Sequence, residues 1–198
     1  MRDMIATPNI IRKENFKMER VMEQRGTTTA YKVKMLVLTA LFIALGYVAT
    51  TVLMVPSPTG GYMNLGDTVV LLGAYLLGPV YGAVAGGVGP ALADLLGGYG
   101  IYVPATLVIK ALMGLTAAVL YQALHKKGWA LIVCGVVAEA IMVVGYALFD
   151  GFLAGNLAVG LTGIPSNLVQ AAFGLAASTL LALALRKSSY VRKQFPRL

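Results

Sequence analysis

GYMNLGDTVVLLGAYLLGPVYGAVAGGVGPALADLL, residues 61–96, is the stretch that decides the fold of this chain. It is almost entirely apolar, and its only charged residues are Asp67 and Asp94, near its two ends. Gly78 and Pro79 interrupt it in the middle, where they favour a tight turn because proline cannot continue a helix. The stretch therefore predicts two consecutive apolar helices with Asp67 and Asp94 at the same end of the pair.

Further apolar segments lie on both sides of this pair. A membrane-spanning helix needs roughly 20 mostly apolar residues. The mean hydropathy of +0.78 and the 12% of charged residues exclude an ordinary water-soluble domain. The sequence thus predicts an all-α, polytopic membrane protein with six transmembrane helices. We expect these helices at about 33–55, 65–77, 80–96, 101–124, 129–149 and 164–185.

The basic residues predict the orientation of these helices. Thirteen of the sixteen Lys and Arg residues lie in the first 34 residues or after Leu185, and Lys126 and Lys127 lie between the fourth and fifth helices. With six helices, these three regions fall on one side, and the connections on the other side contain no Lys or Arg. Because Lys and Arg concentrate in cytoplasmic connections, we expect both termini inside a multi-pass protein of the cytoplasmic (inner) membrane. With five helices, Lys126 and Lys127 would fall on the opposite side.

This orientation divides the chain into three parts. We expect a cytoplasmic N-terminal tail at 1–32, partly disordered or lying on the membrane surface, a six-helix substrate-binding domain at 33–187, and a basic cytoplasmic tail at 188–198.

Composition also excludes several functions. The net charge of +8 is a topology signal, and no aromatic residues interleave with it to form a nucleic-acid surface. One cysteine, Cys134, and one histidine, His125, cannot form a disulfide, a zinc cluster or a Cys/His catalytic pair within one chain. We therefore expect no nucleic-acid partner, no metal, no cofactor and no catalytic residue.

Polar side chains recur on one face of each of the last three predicted helices. Ionisable groups within a membrane are costly and are functional candidates by default, and residues three or four apart share a helix face. Each polar face begins at the outer end and gives way to Ala, Leu and Val toward the cytoplasm, which predicts a cup that opens outward rather than a pore. The faces comprise Tyr102, Thr106 and Lys110, then Glu139, Tyr146 and Asp150, and then Asn167 and Gln170.

Tyrosines mixed with amide, carboxylate and amine groups suit a small, flat, polar heterocycle. Other interpretations remain open at this point. Lys110 and Glu139 can instead form an internal ion pair, Asp94 can cap the glycine-rich turn that follows it, and the tyrosines can belong to an interfacial belt.

The stretch at 61–96 resembles the substrate-binding S component of energy-coupling factor (ECF) vitamin transporters, and the resemblance extends over about residues 33–187. The other matching passages are ALFIA at 40–44, PATLVIKALMG at 104–114, EAIMVVGYALFDGFL at 139–153 and IPSNLVQ at 164–170.

This resemblance implies a subunit that binds a vitamin or precursor from outside and depends on ATP hydrolysis by partner subunits. The chain has no G-x-x-x-x-G-K-[ST] phosphate loop, in agreement. The implied partners are a coupling transmembrane subunit and two ATPase subunits, with membrane lipid around the helices. Ala40 and Ala44, four residues apart, would be the docking face, since small residues allow close helix contact.

Together with the polar faces, the resemblance implies a ligand site in the first outer loop and the outer halves of the helices. A carboxylate near a protonatable ring nitrogen and a lysine near a ring oxygen favour a hydroxymethylpyrimidine or pyridoxine-type ligand, with riboflavin next. The predicted substrate-binding residues are Tyr62, Asn64, Asp67, Asp94, Tyr102, Lys110, Glu139, Tyr146, Asn167 and Gln170.

Two other functions remain as alternatives. A self-contained carrier or channel would need polar residues in the cytoplasmic halves of the last three helices, which are aliphatic. A membrane-embedded, lipid-modifying enzyme would need a reactive carboxylate or histidine cluster, and no such motif is present in the sequence.

Overall fold

The computed structural model describes the backbone of residues 7–195 and the side chains of residues 28–195. Between α1 and α2, two short strands, β1 (Val55–Pro56) and β2 (Tyr62–Met63), pair antiparallel, and a 3₁₀ turn at Gly100–Tyr102 precedes α4. The helices are α1 (Thr7–Val52), α2 (Gly66–Leu77), α3 (Pro79–Leu96), α4 (Val103–Ala123), α5 (Gly128–Leu153), α6 (Leu157–Thr162), α7 (Ile164–Lys187) and α8 (Ser189–Gln194).

Five of the described helical segments are long and apolar enough to cross a membrane: Thr28–Val52 of α1, α3, α4 with its 3₁₀ turn, α5 and α7. The sixth apolar helix, α2, has 12 residues and is about 18 Å long at 1.5 Å per residue. The prediction of an all-α polytopic membrane protein is confirmed, and the second of the six predicted transmembrane helices is shorter than the other five. Pro79 begins α3 directly after Gly78, whose φ of 84° makes the turn between the two helices.

Several boundaries differ from the predicted ones. The first helix ends at Val52, before Pro56, and its backbone is helical from Thr7, through most of the segment predicted as a tail. The fifth helix continues to Leu153, four residues beyond its predicted end. A left-handed glycine, Gly155 at φ 62°, follows it. The predicted connection at 150–163 also contains α6, which Asn156 caps by accepting a hydrogen bond from the Ala158 amide at 3.0 Å.

The chain forms two compact units, residues 1–37 and residues 38–198. The described part of the first unit is helical and belongs to α1. Residues 1–6 and 196–198, at the ends of the two predicted tails, lie outside the described residues.

Glycines let the helices of the second unit approach closely. A Cβ at Gly82 would lie 2.8 Å from the Ala74 Cα, and one at Gly114 would lie 2.8 Å from the Gly82 carbonyl oxygen. Likewise, a Cβ at Gly89 would lie 2.7 Å from the Ile43 carbonyl oxygen. Since apolar lipid tails give little hydrophobic drive for helix association, these backbone contacts hold α1, α2, α3 and α4 together.

Candidate functional site

The outer ends of the helices enclose a cavity, here called the outer cavity. It lies where α2, α4 and α7 begin and where α3 and α5 end, on the side whose connections carry no Lys or Arg. The empty space among its walls, open solvent included, is about 410 Å³. The lining residues, nearly all polar, are Ser57, Thr59, Gly61, Tyr62, Asn64, Asp94, Tyr102, Thr106, Tyr146, Asp150, Asn167 and Gln170.

A hairpin in the first outer loop supplies part of this lining. Its strands pair Val55 with Met63 and Pro56 with Tyr62, and the Ser57 amide donates to the Gly61 carbonyl at 2.8 Å. The hydroxyl of Ser57 lies 3.0 Å from that of Ser166 at the start of α7. The loop is therefore attached to the helix bundle at the mouth of the cavity.

Three hydrogen bonds join the walls of the cavity in pairs. The Tyr62 hydroxyl donates to Asp94 Oδ1 at 2.5 Å, and the Tyr102 hydroxyl donates to Asp150 Oδ1 at 2.9 Å. The hydroxyls of Thr106 and Tyr146 lie 2.9 Å apart. Each pair links two different elements, so the aromatic side chains are held in place before any ligand arrives.

Tyr62 lies outside the membrane-spanning segments. Its partial burial, reinforced by the hydrogen bond to the Asp94 carboxylate, raises the pKa of the Tyr62 hydroxyl well above its usual range. This hydroxyl therefore remains a hydrogen-bond donor at all physiological pH values.

A buried ion pair lies beneath the cavity, and we call this pair and its two amide neighbours in the cavity lining the ion-pair network. The Lys110 ammonium forms a salt bridge with Asp67 Oδ1, and both side chains are 1% exposed. Gln170 Nε2 donates to Asp67 Oδ2 at 2.6 Å, and Gln170 Oε1 accepts from the Asn64 amide at 2.7 Å. The network thus joins α2, α4, α7 and the outer loop. The Lys110 ammonium also lies 5.5 Å from the centre of the Tyr146 ring.

Glu139 lies beside the ion-pair network but forms no hydrogen bond with it. It precedes Asp150 on α5 by eleven residues, which places it roughly 16 Å deeper along the helix. Its side chain is buried, and neither carboxyl oxygen has a hydrogen-bond partner among the described residues. The interpretation of Lys110 and Glu139 as an ion pair is therefore wrong, because Lys110 forms its salt bridge with Asp67 of α2.

Of the ten residues predicted to bind substrate, seven line the outer cavity: Tyr62, Asn64, Asp94, Tyr102, Tyr146, Asn167 and Gln170. Asp67 and Lys110 lie in the ion-pair network, and Glu139 lies deeper.

Five further lining residues were not among the predicted ones: Ser57, Thr59, Gly61, Thr106 and Asp150. Helical spacing already placed Thr106 and Asp150 on the predicted polar faces. Only the strand pairing brings Ser57, Thr59 and Gly61 to the mouth of the cavity, and the loop sequence does not reveal that pairing.

The residues proposed for docking lie on another surface. Ala40, Ala44 and Val48 are exposed along one side of α1. Phe42 and Thr50, on the other side of the helix, are buried at 7% and 1% exposure. The small-residue row is thus uncovered within the described part of this chain.

Among the described residues, no group of three or more His, Cys, Asp and Glu side chains is arranged to hold a metal ion. The outer cavity instead offers hydroxyl, amide and carboxylate groups. Such groups recognise an organic ligand by hydrogen bonds.

Helices long and apolar enough to cross a membrane thus surround a polar cavity. A family model described as "ECF-type riboflavin transporter, S component" matches residues 30–187. The chain belongs to this family of S components. Proteins of this family are transporter subunits and not enzymes.

Two similar proteins were found in addition. An uncharacterized protein of Pyrococcus woesei is 38% identical over 100 residues, which are 50% of this chain and 66% of that protein, just under two thirds of its length. A solved structure described as "Structure and mechanism of the S component of a bacterial ECF transporter" is 20% identical with a TM-score of 0.59. That match covers 79% of this chain and 97% of the other, and it shows that the two share a fold.

Proposed function

We propose that this chain captures riboflavin from outside the cell in the outer cavity and delivers it to an ATP-hydrolysing complex. The observation that carries the proposal is the set of hydroxyl, amide and carboxylate side chains that converge on one cavity in a chain of this family. Riboflavin joins a flat fused heterocycle to a chain of hydroxyl groups, and these need stacking surfaces and many hydrogen-bond partners.

The choice of riboflavin over a pyridoxine-type ligand depends on Lys110. The sequence argument for pyridoxine or hydroxymethylpyrimidine used a free lysine near a ring oxygen. Asp67 engages this lysine, and Lys110 does not line the outer cavity. The remaining groups favour a neutral ligand rich in hydroxyls, and the description of the family model names riboflavin.

We assign three roles to the predicted residues. Asn64, Asn167 and Gln170 present amides that hydrogen-bond the heterocycle or its side chain. Tyr62, Tyr102 and Tyr146 provide ring faces, with Asp94 and Asp150 accepting ligand hydroxyls. Asp67 and Lys110 support the floor of the cavity through Gln170 and do not contact the ligand directly.

The partners in this proposal are a coupling transmembrane subunit and two ATPase subunits. The exposed row of Ala40, Ala44 and Val48 supports docking there, since small residues let a partner helix approach closely. The basic ends and Lys126 and Lys127 support a location in the cytoplasmic membrane with both termini inside.

The experiment is a riboflavin titration of the purified protein, followed by quenching of flavin fluorescence without ATP. We expect sub-micromolar affinity, and Asn167→Ala should weaken it roughly tenfold or more, since a lost hydrogen bond to a buried amide costs about 1–3 kcal/mol. Asn156→Ala is the matched control, because Asn156 caps α6 outside the cavity.

Competition identifies the ligand. Pyridoxine and hydroxymethylpyrimidine should displace riboflavin only in large excess. If either compound displaced bound riboflavin at a lower concentration than unlabelled riboflavin does, that compound would be the preferred ligand. Equal riboflavin affinity of the Asn167→Ala and Asn156→Ala variants would contradict the assigned site.

A further inference from the structure

The lining of the outer cavity carries negative charge. Its two acidic side chains, Asp94 and Asp150, are 4% and 5% exposed, and none of the described residues that line the cavity is Lys, Arg or His. Asp94 accepts a hydrogen bond from the Tyr62 hydroxyl, and Asp150 accepts one from the Tyr102 hydroxyl. Hydrogen bonds donated to a carboxylate favour its ionised form. Because the two tyrosine donors are neutral, they leave the negative charge of the lining in place.

The cationic side chains lie in other parts of the molecule. Residues 35–109 and 128–185 contain no Lys, Arg or His, and these two ranges include every residue that lines the cavity. Beneath the cavity, Lys110 forms its salt bridge with Asp67, and both side chains are 1% exposed. This pair is neutral as a whole, and an anionic ligand would have to displace Asp67 to engage the lysine. A negatively charged group in the cavity therefore has no available cation to pair with among these residues.

Helix N-termini also attract anions, and α2, α4 and α7 begin at the cavity. Carboxylates already lie at two of these ends. Asp67 is in the first turn of α2, and Asp150 Oδ2 would lie 3.3 Å from a Cβ on Gly163, the residue that precedes α7. The first turn of α4 contains Pro104, which has no backbone N–H to donate. The helix ends therefore add little attraction for an anionic ligand.

We propose that the outer cavity selects the unphosphorylated vitamin and that Asp94 and Asp150 repel its phosphate esters. This inference rests on the proposed function and adds the residues that set the selectivity. A phosphate monoester carries a charge of about −1.5 to −2 at pH 7, and like charges brought together in a desolvated site strongly oppose binding. A phosphate ester of the vitamin outside the cell must therefore lose its phosphate by hydrolysis before this chain captures it.

The test compares three flavins that differ only at the terminal hydroxyl of the side chain. Riboflavin carries the free hydroxyl, riboflavin 5′-acetate carries a neutral ester, and riboflavin 5′-phosphate carries an anionic one. In a fluorescence titration of the full chain at neutral pH, the acetate should bind within roughly tenfold of riboflavin, and the phosphate should bind roughly a hundredfold or more weaker than the acetate. Equal affinities for the two esters would show that bulk and not charge decides, and would overturn the proposal.

Variants of the two carboxylates assign the effect. Asp94→Asn and Asp150→Asn each remove one charge with little change of shape, so each should reduce the ratio of acetate to phosphate affinity by roughly tenfold. Asn167→Ala is the control, because it removes a neutral group from the same lining and should weaken both esters alike. A ratio that neither carboxylate variant changes would contradict the roles of Asp94 and Asp150. Size-exclusion chromatography checks that each variant is folded.

A second measurement needs no substitution. The second pKa of a phosphate monoester is about 6, so the phosphate loses one negative charge when the pH is lowered to about 5. The ratio of acetate to phosphate affinity of the unaltered chain should then fall severalfold, and an unchanged ratio would contradict repulsion by charge. Tight binding of both riboflavin and its phosphate would overturn this inference alone. Failure of riboflavin itself to bind would overturn the proposed function, and this inference with it.

Discussion

Removal of the lysine from the buried ion pair should destabilise the protein strongly. Lys110→Met preserves most of the side-chain volume but leaves the Asp67 carboxylate without its cation, and both side chains are 1% exposed. Breaking a buried pair in this way costs about 3–5 kcal/mol. Among the described residues, Gln170 then remains as the donor to the carboxylate, through one hydrogen bond of 2.6 Å. At 2–4 °C per kcal/mol for a chain of this size, the midpoint of thermal unfolding should fall by roughly 6–20 °C.

The double variant Asp67→Asn with Lys110→Met tests the reasoning. It removes both charges, so it should recover most of the lost stability, because replacing a buried pair by neutral residues is often nearly neutral. The assay is thermal unfolding in detergent, followed by far-ultraviolet circular dichroism. Lys127→Met, which removes an exposed lysine, is the control. If the single and double variants unfold at the same temperature, the loss does not come from an uncompensated charge, and the electrostatic argument fails.

Three further outcomes are expected. Tyr102→Phe removes the donor to Asp150 and should weaken riboflavin binding roughly tenfold in the fluorescence titration; unchanged affinity would place the ligand elsewhere. Gly82→Val should lower the unfolding midpoint by several degrees, since its Cβ would meet the α2 backbone at 2.8 Å, whereas Gly100→Ala, with open space around it, should not. Ala44→Trp should prevent co-purification with the coupling subunit and leave riboflavin affinity intact, because Ala44 lies on the exposed side of α1; normal assembly would exclude that face as the docking surface.

The membrane architecture was predictable because it depends on local signals. Gly78 and Pro79 split one apolar stretch into two helices, and the structure makes the turn there with a left-handed glycine. The position of the polar residues along each helix also followed from spacing, which is why Tyr102, Tyr146 and Asn167 meet in one cavity.

The partners of the charged residues were not predictable. Spacing gives the height of Lys110 in the membrane but not which neighbouring helix faces it, and Asp67 and Glu139 were both available as partners. The close contacts at glycines such as Gly174 bring α2, α5 and α7 together, and these contacts depend on the full three-dimensional packing. The paired strands around Ser57 likewise arise from a turn of only a few residues with little apolar pattern.

Gln170 couples the outer hairpin to the buried ion pair. Its carbonyl holds the backbone of the outer hairpin at Asn64, and its amide nitrogen holds Asp67. A ligand that forms a hydrogen bond with either end of this side chain must replace its hydrogen bond to the Asn64 amide or to the Asp67 carboxylate. Under the proposed function, ligand binding and the hydrogen bond between Gln170 and the hairpin are thermodynamically linked, so a substitution at Gln170 should alter both the ligand affinity and the stability of the hairpin.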